Sequence, residues 1–89
     1  MDRMTGMDIA QVFQLSNAIE GRSREVQRLI ERLTAAIEGA DWKGADRERF
    51  LNEWRSVHAS ALRNMASAMH DASRAAFQSA RAQEEASGR

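Results

Sequence analysis

The sequence predicts an all-α protein, an antiparallel helix-turn-helix hairpin that dimerises into a four-helix bundle. Three observations lead there. Apolar residues recur at steps of three, four and seven on both sides of the chain's centre, the period of a helix. The 89 residues include no proline, and their β-branched residues never alternate, so nothing breaks the helical patterns or marks a strand. Between the patterns lies one short stretch, "IEGADWKGADRERF" from Ile37 to Phe50, punctuated by Gly39 and Gly44.

The first helix is expected over about residues 8–38. Its apolar positions are Ile9, Val12, Phe13, Ile19, Val26, Leu29, Ile30, Leu33 and Ile37. Thr5 and Asp8 have the spacing of a capping box, which makes Thr5 the expected N-cap. Gly39 suits the position just after a helix end. Gly21 sits inside the helix at a cost of about 1 kcal/mol relative to alanine, either as a tolerated surface residue or where another backbone comes close. Charges alternate through Glu20, Arg22, Arg24, Glu25, Arg28, Glu31 and Arg32, as on a solvated face. Glu20–Arg24 and Glu25–Arg28 are spaced to pair along it.

A turn over residues 39–44 follows, then a second helix over about 45–83, then a tail over 84–89 that is expected to fray. Asp46 and Glu48 place acids in the first turn, where the helix dipole favours them. Trp42 stands between the two glycines. Its ring is expected to fold back between the helices and plug the end of the seam, with Gly44 supplying an unusual φ or room. Along helix two, Leu51, Trp54, His58, Ala61, Met65, Ala68, Ala72 and Ala75 follow alternating steps of three and four, a coiled-coil-like seam. Phe50, Val57, Leu62, Met69 and Ala76 widen the stripe. Met65 and Met69 read as core filling or as an adaptable binding surface. The many alanines suit a close helix crossing.

Neither helix confines its apolar residues to one line. A two-helix rod covers one line per helix and leaves another wet, and exposed apolar stripes mark interfaces. A chain this short is marginal alone, and without cysteine it has no disulfide or thiolate metal site to staple it, so association remains. The hairpin and dimer seams are therefore expected to draw on Val26, Leu29, Ile30, Leu33, Ile37, Phe50, Leu51, Trp54, His58, Ala61 and Met65.

Thirteen basic and thirteen acidic residues give no net charge, which argues against a nucleic-acid partner. No apolar run is long enough for a membrane span, and the N-terminus lacks the apolar core of a cleaved secretory signal. Enzyme chemistry is not expected. His58 falls on the apolar seam, and His70 and Asp71 point about 100° apart on a helix. His58 and His70 lie about 18 Å apart along the axis, too far to share a metal. Asp41 and Asp46 flank the turn as caps. No catalytic residue, cofactor, metal or small-molecule substrate is expected.

Trp42-Lys43-Gly44 near the centre of a short chain, with a long helix on each side, resembles the WXG family, the ESAT-like proteins of type VII secretion. The resemblance covers nearly the whole chain. Phe50 and Trp54 are similar to apolar positions on that family's second helix. The resemblance implies a hairpin that dimerises with itself or a sister protein. It implies export without a cleaved signal peptide by a membrane ATPase, as effector or export partner, from the cytoplasm to the cell surface or medium. The family's Tyr-x-x-x-Asp/Glu export signal has no match here: Phe77 and Arg81 occupy the nearest equivalent positions, and Glu84 and Glu85 do not follow an aromatic at that spacing. A cytosolic helical adaptor or structural interaction module is the alternative reading.

Overall fold

The computed structural model describes residues 8–88. Helix α1 spans Ile9–Gly39. Helix α2 spans Ala45–Glu53, a π-helical turn follows at Trp54–His58, and α3 spans Ala59–Ser87. The last three run on as one long helix, since the residues at both junctions keep right-handed helical backbone. The described residues contain no strand, and the chain is an antiparallel helical hairpin. Residues 40–44 make the turn.

Asp8 caps α1, its carboxylate accepting from the Gln11 N–H at 3.2 Å. It therefore takes the place expected of Thr5, which lies outside the described residues. Gly39 is the last residue of α1, and Ala40 follows as C-cap. The tail expected to fray is helical as far as Ser87. Arg81 pairs with Glu85 at 3.1 Å, and the Gly88 N–H reaches the Glu84 carbonyl at 2.9 Å. Glu25 pairs with Arg22 in preference to Arg28, while Glu20 and Arg24 do pair.

The seam is built from small residues. Ser16 Oγ donates to the Ser73 carbonyl at 2.9 Å and Ser73 Oγ returns a bond to the Ser16 carbonyl at 2.8 Å. Ser23 Oγ donates to the Ala66 carbonyl at 2.7 Å. Side-chain-to-backbone bonds between two helices need backbones that lie close, which Ser16, Ser23, Ala66 and Ser73 permit because each is nearly fully buried and none is large. Ile30, Leu51, Ala59 and Ala80 are buried with them. No buried side-chain polar atom among the described residues lacks a partner.

Leu51 and Trp54 lie on the expected seam, but His58, Ala61, Met65, Ala68, Ala72 and Ala75 are exposed, and Met65 is 46% so. The line facing α1 is instead Ala59, Leu62, Ala66, Met69, Ser73, Ala76 and Ala80. The π turn is the reason. The Ala59 N–H reaches back five residues to the Trp54 carbonyl, so the turn holds one residue more than an α turn. Every position beyond it is displaced by one residue, or about 100° around the axis.

The rod measures 66 × 17 × 16 Å, with a radius of gyration of 19.6 Å. A globular chain of this length would have about 12 Å. The interior is thus a single narrow line. Ala66→Leu should overpack it and lower stability by about 1–3 kcal/mol. Asn64→Leu, on exposed surface two residues away, should stay within about 0.5 kcal/mol. Melts followed by circular dichroism compare the two, and equal midpoints would contradict this seam.

Candidate interaction site

The turn at the closed tip is set by Gly44. It has φ 100° and ψ −172°, a region open essentially to glycine alone, and no other described residue has positive φ. The Gly44 carbonyl accepts from the Glu48 N–H, starting α2. Before it, the Trp42 N–H bonds the Ala40 carbonyl at 2.8 Å. This tight return directs the Trp42 ring onto Phe50, with centroids 5.3 Å apart and planes tilted by 49°. The ring is 39% exposed and rests on Phe50, which is also exposed, so one edge of Trp42 is open at the tip. Leu51, one residue on, is the buried group at that end. Lys43 is exposed.

Polar contacts tie the tip to the rod. Arg47 donates to the Glu38 carbonyl at 3.1 Å, where the end of α1 attracts a cation. Arg55 pairs with the Glu38 carboxylate. The half-buried Trp54 donates its indole N–H to Thr34 Oγ1 at 2.8 Å, and the Thr34 hydroxyl in turn donates to the Ile30 carbonyl at 2.7 Å. Trp54 thus enters the seam with its polar atom satisfied at the first residue of the π turn.

The rod has two unlike sides. On one, Phe13 meets Phe77 edge to face at 5.3 Å, and His70 Nδ1 lies 2.7 Å from a Glu20 carboxylate oxygen that shares its group with Arg24. An open groove lies there, lined among others by Ser16, Glu20, Arg74, Phe77 and Arg81. The helical wheel places Leu15, Leu29 and Leu33 of α1 on the opposite side, together with Phe50 and Met65 of the long helix. All five are exposed. Half-buried Val12, Ile19, Val26, Leu62 and Met69 border them. The result is a largely apolar face two helices wide that reaches Trp42 at the tip, interrupted on α1 by the Arg22–Glu25 pair between Leu15 and Leu29.

The expected seam residues therefore separate into two sets. Ile30 and Leu51 are buried between the helices, with Ile37, Trp54 and Val26 half-buried. Leu29, Leu33, Phe50, His58, Ala61 and Met65 are outside. The structure gathers most of these outer residues on one face. Phe77, Arg81, Glu84 and Glu85 lie on the exposed surface of α3, Phe77 engaged with Phe13 and Arg81 with Glu85. Ser16, Ser23 and Ser73 were not expected in the seam. Their signal is the seven-residue spacing shared by Ser16, Ser23 and Ile30, and by Ala59, Ala66, Ser73 and Ala80.

Gly44→Ala should cost about 1–3 kcal/mol, because alanine would be held in that backbone region. Gly21→Ala should instead gain about 0.5–1 kcal/mol, since a Cβ there meets nothing within 4 Å and alanine favours the helix. Chemical denaturation of both variants checks the opposite signs. Trp54→Ala should lower stability by about 2–4 kcal/mol, near or below the range for a fully enclosed ring. Thr34→Val should cost about 1–3 kcal/mol by orphaning the half-buried indole N–H. An unchanged melt for Trp54→Ala would place that ring outside the seam.

No family model, no curated protein and no solved structure matches the chain.

Proposed function

We propose that this chain is a non-enzymatic hairpin of the WXG type. It pairs through its apolar face with a second copy or a sister hairpin and leaves the cell as that dimer through a type VII secretion ATPase. It serves there as effector or export partner and needs no cleaved signal peptide. The observation that carries the reading is the Trp42-Lys43-Gly44 turn. Gly44 occupies a conformation open essentially to glycine, and Trp42 is presented half-exposed at the tip, beside the end of an uncovered apolar face. A face of this width fits a partner that is itself two helices wide, which would cover Leu15, Leu29, Leu33, Phe50 and Met65 together.

The adaptor reading draws on one observation at the other end. Phe77 and Arg81 stand where the family carries its tyrosine signal, and both are already engaged within the chain. A sister subunit would then supply the signal, or the chain would act as an unexported partner.

Light scattering at micromolar concentration should give twice the 10.0 kDa chain mass, or the mass of a mixed dimer when the sister chain is present. Trp42→Ala should leave that dimer folded, with a loss of no more than about 2 kcal/mol because the ring is partly wet. Its secreted fraction in a host carrying the ATPase should fall to background. Normal export of a folded Trp42→Ala dimer would reduce the turn to local packing, and a monomeric parent chain would remove the pairing itself.

A further inference from the structure

The long helix carries two apolar lines, one residue out of step. Ala59, Leu62, Ala66, Met69, Ser73, Ala76 and Ala80 face α1. His58, Ala61, Met65, Ala68, Ala72 and Ala75 lie exposed beside them. The second line is the one that continues Leu51 and Trp54 by steps of three and four with no interruption. The first can follow Trp54 only because the π turn takes up one extra residue.

We propose that this π turn is a register switch. When Trp54–His58 rewinds as ordinary α-helix, α3 rotates by about 100° and the second line replaces the first against α1. Ser23, now beneath Ala66, would lie beneath Met65, and Ser16 beneath Ala72. Each register has its own gain. The present one holds the serine bonds to Ser73 and Ala66 and keeps His58 in solvent. The other restores unbroken α-helical hydrogen bonding through residues 54–58. Both lines are free of formal charge apart from any proton on His58, so neither is barred by a buried ion; the second sets Met65 where Ala66 now packs, a difference in bulk that favours the present register. α3, capped by Gly88, is the last element among the described residues, so its rotation pulls on no other described element.

The rotation has a consequence for the surface. In the present register Met65, Ala68 and Ala72 extend the apolar face of Leu15, Leu29 and Leu33. In the other, Asn64, Asp71 and Gln78 would come round to that side, and Leu62 and Met69 would move toward Phe13 and Glu20. The switch thus completes or withdraws half of the docking face. A partner seated on the complete face holds the present register, because it binds only that state. The switch itself is a property of the single hairpin and stands apart from the export reading.

The chain contains no cysteine, so paired cysteines report register without background. Ser23→Cys with Ala66→Cys should cross-link under mild oxidation in the present register. Ser23→Cys with Met65→Cys should cross-link in the other. Deleting Ser56, an exposed residue whose hydroxyl bonds only the Asn52 carbonyl of its own helix, removes the extra residue and fixes the present seam in unbroken α-helix. In that background the Ser23–Met65 cross-link should fall several-fold while circular dichroism stays helical. Ala66→Leu in the undeleted chain should raise it, because bulk at that position disfavours the present seam. A Ser23–Met65 yield that is the same with and without Ser56 would overturn the switch. So would loss of the fold on deletion, since the seam beyond the turn would then depend on the π geometry itself.

Discussion

Close approach of two backbones organises this molecule. At Ser16, Ser23, Ala66 and Ser73 the helices come near enough for hydroxyls on one to reach carbonyls on the other. Each such bond satisfies a buried group that would otherwise cost about 1–3 kcal/mol. Each also favours the present rotation of α3 about its axis, because a neighbouring side chain points about 100° away. The π turn then follows from two demands that one α-helix cannot meet together. Trp54 and Leu51 are held at the tip by Thr34 and by burial, while Ser73 and Ala66 are held further along by the serines. The intervening stretch has one residue too many for an α-helix and absorbs it locally.

This explains which parts of the fold were legible in the sequence. The hairpin, the position of its turn and the α1 boundary at Gly39 follow from periodicity and glycine placement. The unusual φ at Gly44 was one of two expectations for that residue. The rotation of α3 was not legible, because both of its lines are periodic and both are mostly apolar. The choice between them depends on serine bonds to the other helix, a long-range contact that periodicity within one helix cannot register. The same displacement sends His58, Ala61 and Met65 outward. The partner of the Trp42 ring was not legible for a local reason: the backbone at Gly44 and the first turn of α2 bring Phe50 beneath it.

The narrow seam also accounts for the exposed face. Small residues between the helices allow close packing but bury little apolar area, and the stabilisation from burial scales with that area. The large side chains, among them Leu15, Leu29, Leu33, Phe50 and Met65, are left on the surface. A rod 17 Å across has no second layer to cover them. Surface ion pairs such as Arg22–Glu25 and Arg49–Asp46 add little, since exposed pairs contribute about 0–1 kcal/mol each. The apolar area that the seam does not bury lies on the uncovered face, where a partner of the kind proposed would bury it.

The placement of polarity along the rod sharpens that argument. On the side of Phe13 and Phe77 the flanking groups are already paired within the chain: Glu20 with His70 and Arg24, and Arg81 with Glu85. A partner docking there would have to displace those contacts or bury them. On the opposite side the α3 residues that would meet a partner are Ala61, Met65, Ala68 and Ala72, which have no side-chain hydrogen-bonding demand beyond the weak thioether of Met65. Desolvating the α3 half therefore costs little, and its small residues allow a second helix to approach closely; on the α1 half the Arg22–Glu25 pair stands between Leu15 and Leu29 and would have to be buried as a pair or left at the rim. The helix that uses alanine and serine to meet α1 presents the same kind of surface outward, so one packing geometry can serve both contacts.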